Sequence, residues 1–193
     1  MLTHKDFFYF SIVSANNYVQ CHPIEITEDF DNYFKGGDYL KKMPKTFIQT
    51  RGRKRNDIIG GTLGLYLISE KIKCQLENSK VTGVEFVPIE IKSKSGNKYD
   101  GYYAMIITGR GKAANKNDAS LKLIKTSSGT TYKNVGYLFP IESWDGSDIF
   151  YLEGSKAVII LTEKAKRIFE QYSDICVLKR CDEYIWESIP NSV

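Results

Sequence analysis

Leu67-Ile68-Ser69-Glu70-Lys71-Ile72-Lys73-Cys74-Gln75-Leu76-Glu77 matches Ile160-Leu161-Thr162-Glu163-Lys164-Ala165-Lys166-Arg167-Ile168-Phe169-Glu170 at a constant offset of 93 residues. In each copy an apolar stretch ends at a hydroxyl residue, Ser69 or Thr162, that can cap an unpaired amide of a first helical turn. Glu70 and Glu163 then sit where the helix dipole favours an anion. Ile72, Leu76 and Ser79 fall on one side of the first helix, and Ala165, Ile168, Phe169 and Tyr172 on one side of the second. Each helix is thus expected to pack by one face. A return to β structure follows at the same offset, through Val81-Thr82-Gly83-Val84-Glu85-Phe86 and Asp174-Ile175-Cys176-Val177-Leu178. Two similar strand-helix-strand units, about 67–92 and 160–186, predict an α+β fold with helices docked on a largely antiparallel sheet. Two copies make a duplication, not a solenoid.

Outward from these units, extended segments are expected at 7–13, 84–92, 102–108, 121–126, 149–152, 157–161, 175–178 and 184–187. Ser93-Lys94-Ser95-Gly96-Asn97 and Thr126-Ser127-Ser128-Gly129 read as hairpin loops between them. The first 60 residues read as irregular and aromatic. The expected organisation is an N-terminal region, residues 1–55, packed on a main domain at 56–193.

A chain of 193 residues with 42% hydrophobic and 26% charged composition can bury a core without disulfides or a structural metal, so its four cysteines are optional. No apolar run approaches the roughly 20 residues of a membrane-spanning helix, and no membrane association is expected. The aromatic run Phe7-Phe8-Tyr9-Phe10 suits a strand better than a signal core, and its one leading cation, Lys5, is cancelled by Asp6. A cytoplasmic protein is expected. The net charge of +4 does not by itself indicate nucleic acid.

Catalytic patterns are scarce. Cys21 and His22 are adjacent, and neighbours on a strand point to opposite faces, which rules against a nucleophile–base pair. Cys74, Cys176 and Cys181 form no CxxC half-site for zinc. Gly60-Gly61-Thr62-Leu63-Gly64 and Gly109-Arg110-Gly111-Lys112 lack the spacing of a phosphate loop and read as flexible turns. Glu85 and Glu90 have opposite parity in one strand and cannot form a dyad. No catalytic, metal or cofactor site is expected, and the chain is not read as an enzyme.

Binding features are clearer. Glu28-Asp29-Phe30-Asp31-Asn32-Tyr33-Phe34-Lys35-Gly36-Gly37-Asp38-Tyr39 mixes four acids with four aromatics. It reads either as an amphipathic helix on the core or as a partner contact through Asp29, Phe30, Asp31, Tyr33, Phe34, Asp38 and Tyr39. Trp144-Asp145-Gly146-Ser147-Asp148 reads either as a turn with a partly buried indole or as an aromatic interface anchor flanked by Asp145 and Asp148. The basic run Arg51-Gly52-Arg53-Lys54-Arg55 offers an alternative nucleic-acid contact through Arg51, Arg53, Lys54 and Arg55, although no aromatic residue is interleaved for base stacking.

The segments Asn56-Asp57-Ile58-Ile59, Leu67-Ile68-Ser69-Glu70-Lys71-Ile72-Lys73 and Val81-Thr82-Gly83-Val84-Glu85-Phe86-Val87-Pro88-Ile89-Glu90-Ile91 resemble the immunity protein family numbered eleven of bacterial polymorphic-toxin systems. The signature is serine-glutamate, a helix, threonine-glycine, glutamate-phenylalanine and proline. Tyr102-Tyr103, Asp148-Ile149-Phe150 and Thr162-Glu163-Lys164 follow in the family's order, and the resemblance covers about 56–187. The second unit departs from it, since Cys176 stands where the glycine would be and no proline follows. The resemblance implies a cytoplasmic antidote that binds a cognate toxin domain and blocks its active site without catalysis, the motif itself being architectural. A nucleic-acid-binding module using residues 51–55 is the alternative.

Overall fold

The computed structural model describes residues 1–13, 17–25, 35–61, 65–112, 120–126, 129–136, 139–153 and 155–185. Strand β1 (Phe7–Ile12) alternates its side chains between two cores. Phe8 and Phe10 enter the larger one and Phe7 the smaller. β11 (Ile149–Leu152) and β12 (Ser155–Thr162) do the same, Ile149, Tyr151, Ile159 and Leu161 facing one way, Phe150, Leu152, Val158 and Ile160 the other. A sheet covered on both faces explains why these strands read as continuous apolar runs. With β13 (Cys176–Arg180) and β8 (Gly109–Gly111) they form a five-stranded sheet in the order β13-β1-β12-β11-β8.

The larger core also fills a closed six-stranded barrel, β2-β3-β6-β7-β5-β4. Its strands are β2 (Gln20–Pro23), β3 (Thr46–Arg51), β4 (Ile58–Gly61), β5 (Tyr66–Ser69), β6 (Val84–Lys92) and β7 (Lys98–Ile107). β9 (Ser120–Thr126) and β10 (Gly129–Val135) pair with each other as a two-stranded hairpin, and the last residue of β10, Val135, also makes an isolated bridge to Ile185. The named strands pair antiparallel except at β2/β4, β3/β6 and β8/β11. The result is mixed α+β and mostly sheet.

Helix α1 (Glu70–Asn78) buries Ile72 and Leu76, and α2 (Glu163–Phe169) buries Ala165, Ile168 and Phe169, with Tyr172 buried in the 3-10 turn beyond it. The helices meet through Gln75, whose amide donates to Gln171 and whose oxygen accepts from the Tyr172 hydroxyl at 2.9 Å. The chain runs β5-α1-β6 in the barrel and β12-α2-β13 in the sheet. In each case the strands before and after the helix flank a third strand antiparallel to both, β7 or β1.

Three local expectations are corrected. Beyond the expected strand β1, the described part of the first 60 residues is not irregular, since it supplies three barrel strands. β3 hides its alternation because Gln49, a polar residue, is one of its inward positions beside Phe47. Gly60-Gly61 and Gly109-Arg110-Gly111 are strand, not turn. At Gly109 a Cβ would run into the Ile149 carbonyl and lie 2.6 Å from Ser147 Cβ, so glycine is what lets β8 approach β11. Neither Ser69 nor Thr162 caps its helix by a side-chain bond. Their hydroxyls donate to aspartates instead, Ser69 to Asp57 at 2.7 Å and Thr162 to Asp148 at 2.9 Å. The backbone repeats this, with the amides of Ser69 and Thr162 donating to the carbonyls of Asp57 and Asp148. An aspartate opening one strand thus locks the residue ending its antiparallel partner, once at β4/β5 and once at β11/β12. The expected segment at 184–187 is described only as far as Ile185, which bridges to Val135.

Candidate partner-binding surface

β6 connects two chemically different ends of the barrel. Its first residues carry Glu85, whose carboxylate accepts the Gly37 amide at 3.2 Å and so anchors the 3-10 turn Gly37–Lys42. That turn holds Asp38, paired with Lys41 at 2.6 Å on the open surface, and Tyr39, an exposed ring with the Lys35 ammonium 5.3 Å from its centre. Asp29, Phe30, Asp31, Tyr33 and Phe34 lie outside the described residues.

The same end of β6 meets the loop 144–148. Gly83 faces Ser147 and the Ile149 carbonyl, and its own carbonyl accepts the amides of Thr108 and Gly109. Trp144 points inward there: its ring packs edge-on to Phe7 at 5.0 Å, and its Nε1 donates to the Ser147 carbonyl at 2.8 Å. Asp145 accepts from the amides of Arg110 and Ser147. Asp148 accepts from the Thr82 amide and hydroxyl, the Thr162 hydroxyl and Lys164 Nζ. The fold therefore brings Asp38, Tyr39 and the 144–148 loop to one end, with the indole and both aspartates of the loop bonded within the chain.

Partial burial pushes the Asp148 carboxyl up, but the Lys164 ammonium and the threonine donors outweigh it and hold the group below its ordinary value of 3.8. A carboxyl depressed on folding contributes stability above its unfolded pKa and loses it as pH falls through the folded one. Asp148→Asn is expected to cost about 1–3 kcal/mol at neutral pH. The difference from the parent should shrink as pH drops through 3.8 and below in urea titrations. A pH-independent difference would refute the charged role.

At the other end, eight residues or roughly 26 Å along the strand from Glu85, the hairpin after β6 faces the segment after β3. They enclose a cleft of about 710 Å³ lined by Asn17, Gln49, Gly52, Arg53, Ser93, Lys94, Ser95 and Tyr99. The basic run forms its rim. The amides of Arg53 and Lys54 both donate to the Asn17 carbonyl at 2.9 Å, and the Lys54 carbonyl accepts the Val19 amide. Gly52 adopts φ +76° against the Tyr18 carbonyl, a position with no room for a side chain. Gln49 Nε2 donates to the Gly52 carbonyl at 2.6 Å, and the Ser93 and Ser95 hydroxyls meet at 2.9 Å.

Tertiary structure also supplies the aromatic rings that the basic run lacks in sequence. Lys54 Nζ lies 5.3 Å from the centre of the Tyr18 ring, and the Arg55 guanidinium 5.0 Å from that of Tyr99. No local signal marks Tyr18 and Tyr99, because only tertiary structure brings them to residues 54 and 55, Tyr18 by an isolated bridge to Lys54 and Tyr99 from β7.

On β2, Cys21 is buried while His22 is exposed, as alternation requires. Burial pushes the Cys21 and Cys176 thiols up to about 12, which keeps them protonated and poorly nucleophilic near neutrality. Cys74 is exposed on α1. Among the described residues no three His, Cys, Asp or Glu side chains gather to hold a metal, and no helix is long and apolar enough to cross a membrane.

No curated protein matches the sequence. Residues 11–173, which run from β1 through both helices, match the Immunity protein family (Imm11), and the chain belongs to that family.

Proposed function

We propose that this protein is an antidote: it binds a cognate domain of a polymorphic or secreted bacterial toxin, covers the toxin's active site and protects the producing cell from within its cytoplasm. The observation that carries this reading is the family match across residues 11–173. Its action is occupation of a surface, with no turnover of its own. An interface of ordinary size, about 800 Å² on each partner, suffices for tight inhibition when its centre is well packed. The paired aspartate locks and the shared strand order of 57–92 and 148–180 support descent of the two units from one duplicated segment.

Co-expression with the toxin domain encoded beside its gene tests the proposal. Cells carrying that domain alone should fail to form colonies, and cells carrying both should grow. The two proteins should co-purify as a complex with nanomolar or tighter affinity, about −12 kcal/mol or better. Toxicity undiminished by the chain would end this reading.

A further inference from the structure

We propose that the toxin docks on the basic end of the barrel, and that the cleft between Arg53 and Lys94 receives an acidic segment of the toxin domain. The inference rests on the antidote reading and adds where the partner binds and what chemistry it presents.

Three observations converge there. First, Arg51, Arg53, Lys54, Arg55 and Lys94 are all exposed, and among the described residues none is paired with a carboxylate. Several lysines and arginines elsewhere answer their own acids, as Lys73 does Glu77, Lys164 does Asp148 and Arg180 does Asp182, whereas here five cations without such a partner gather at one end. Glu90, three residues before the hairpin, is already taken by Lys98 at 2.6 Å and Lys92 at 3.8 Å. This end therefore carries uncompensated positive charge that costs folding energy by self-repulsion and gains only when an anion arrives.

Second, the cleft is prebuilt. Gln49 and Ser93, the buried polar side chains of the described core, both line it and are both held by hydrogen bonds. Backbone bonds to Asn17 fix the loop that carries Arg53, and the bond from the Ser93 amide to the Asn97 carbonyl closes the hairpin that carries Lys94. Little backbone ordering entropy remains to be lost on binding, although the Arg53 and Lys94 side chains must still be immobilised. A volume near 710 Å³ admits a few side chains of a loop and is too small for a folded element.

Third, the available rings do not suit bases. Tyr18 and Tyr99 each have a cation of this chain over the ring, Lys54 and Arg55 respectively, and sequence-tolerant binding of single strands relies on open aromatic platforms. A carboxylate-bearing protein segment asks for no such platform. The opposite end, where Trp144, Asp145 and Asp148 are spent on the fold, offers less unanswered charge.

The test measures binding of the full chain to the toxin domain encoded beside its gene, by calorimetry, for the parent, for Arg53→Glu with Lys94→Glu, and for a control with Lys5→Glu and Lys112→Glu. Thermal melts establish that each variant is folded. The cleft variant is expected to bind at least about 100-fold more weakly, with a slower association that no longer falls with salt, while the control binds within about threefold of the parent. Equal binding by parent and cleft variant overturns the inference and leaves the antidote reading standing. A parent chain that captures a labelled single-stranded oligonucleotide with a steep log-linear salt dependence, lost in the cleft variant while toxin binding persists, overturns it in favour of a nucleic-acid surface. No toxin binding by the parent overturns both.

Discussion

Phe10→Ala is expected to lower the unfolding free energy by about 3–5 kcal/mol. Phe10 is fully buried on β1, the strand between β12 and β13, and its ring meets Phe169 of α2 at 4.8 Å and Tyr66 of the barrel at 5.3 Å. One side chain thus joins the sheet, a helix and the barrel, and its removal leaves a void that three rigid elements cannot close. Against a typical total of about 5–15 kcal/mol this loss is a large fraction, and the melting temperature should fall by roughly 6–20 °C. Urea denaturation gives the value directly. A loss under about 1 kcal/mol would mean that the elements relax into the space, contrary to the packing described.

Gly83→Ala should be comparably severe, at about 2–5 kcal/mol. Gly83 has φ +83°, a region where a Cβ costs about 1–2 kcal/mol. The new methyl would also collide with the Ile149 carbonyl and approach Ser147 Cβ at 2.6 Å, which adds about 1–3 kcal/mol of overpacking. Gly146→Ala separates the two contributions. It has φ +87° but no atom within 4 Å of its would-be Cβ, so it should show the backbone cost alone. If both variants lost the same stability, the close approach of β6 to the 144–149 region would not be the constraint. The result bears on function because this glycine directly precedes β6, the strand that leads into the hairpin lining the basic cleft.

The described end of the acidic segment, residues 35–39, and the basic run do not lie side by side. Gly37 reports to Glu85 at the start of β6, and Arg53 faces Lys94 beyond its end. One protein therefore presents a turn whose single acid, Asp38, is answered by Lys41 and, at the opposite end of the barrel, a basic cleft, and a partner can engage one without touching the other. Docking at the basic end uses charge that the fold has left unanswered. The bonds of Asp145 and Asp148 show the contrary case, in which acids that look available in the sequence are consumed by a loop and a strand end.

By itself the sequence determined the elements whose burial is written locally. Val84–Lys92 and Ile149–Leu152 are strands with the bounds their alternation and apolar content predicted, and the buried faces of the two helices follow from residues three and four apart. The contrast of acidic and basic segments was also legible, because charge needs no partner to be seen. Only tertiary structure decided the barrel. β2, β4 and β8 are three or four residues long and carry Pro, His or paired glycines, so nothing local favours a strand. They extend because distant strands offer unpaired backbone groups whose burial without a partner would be costly. The same non-local pairing turned Ser69 and Thr162 from expected caps into locks on aspartates, and set Tyr18 and Tyr99 under cations from another part of the chain.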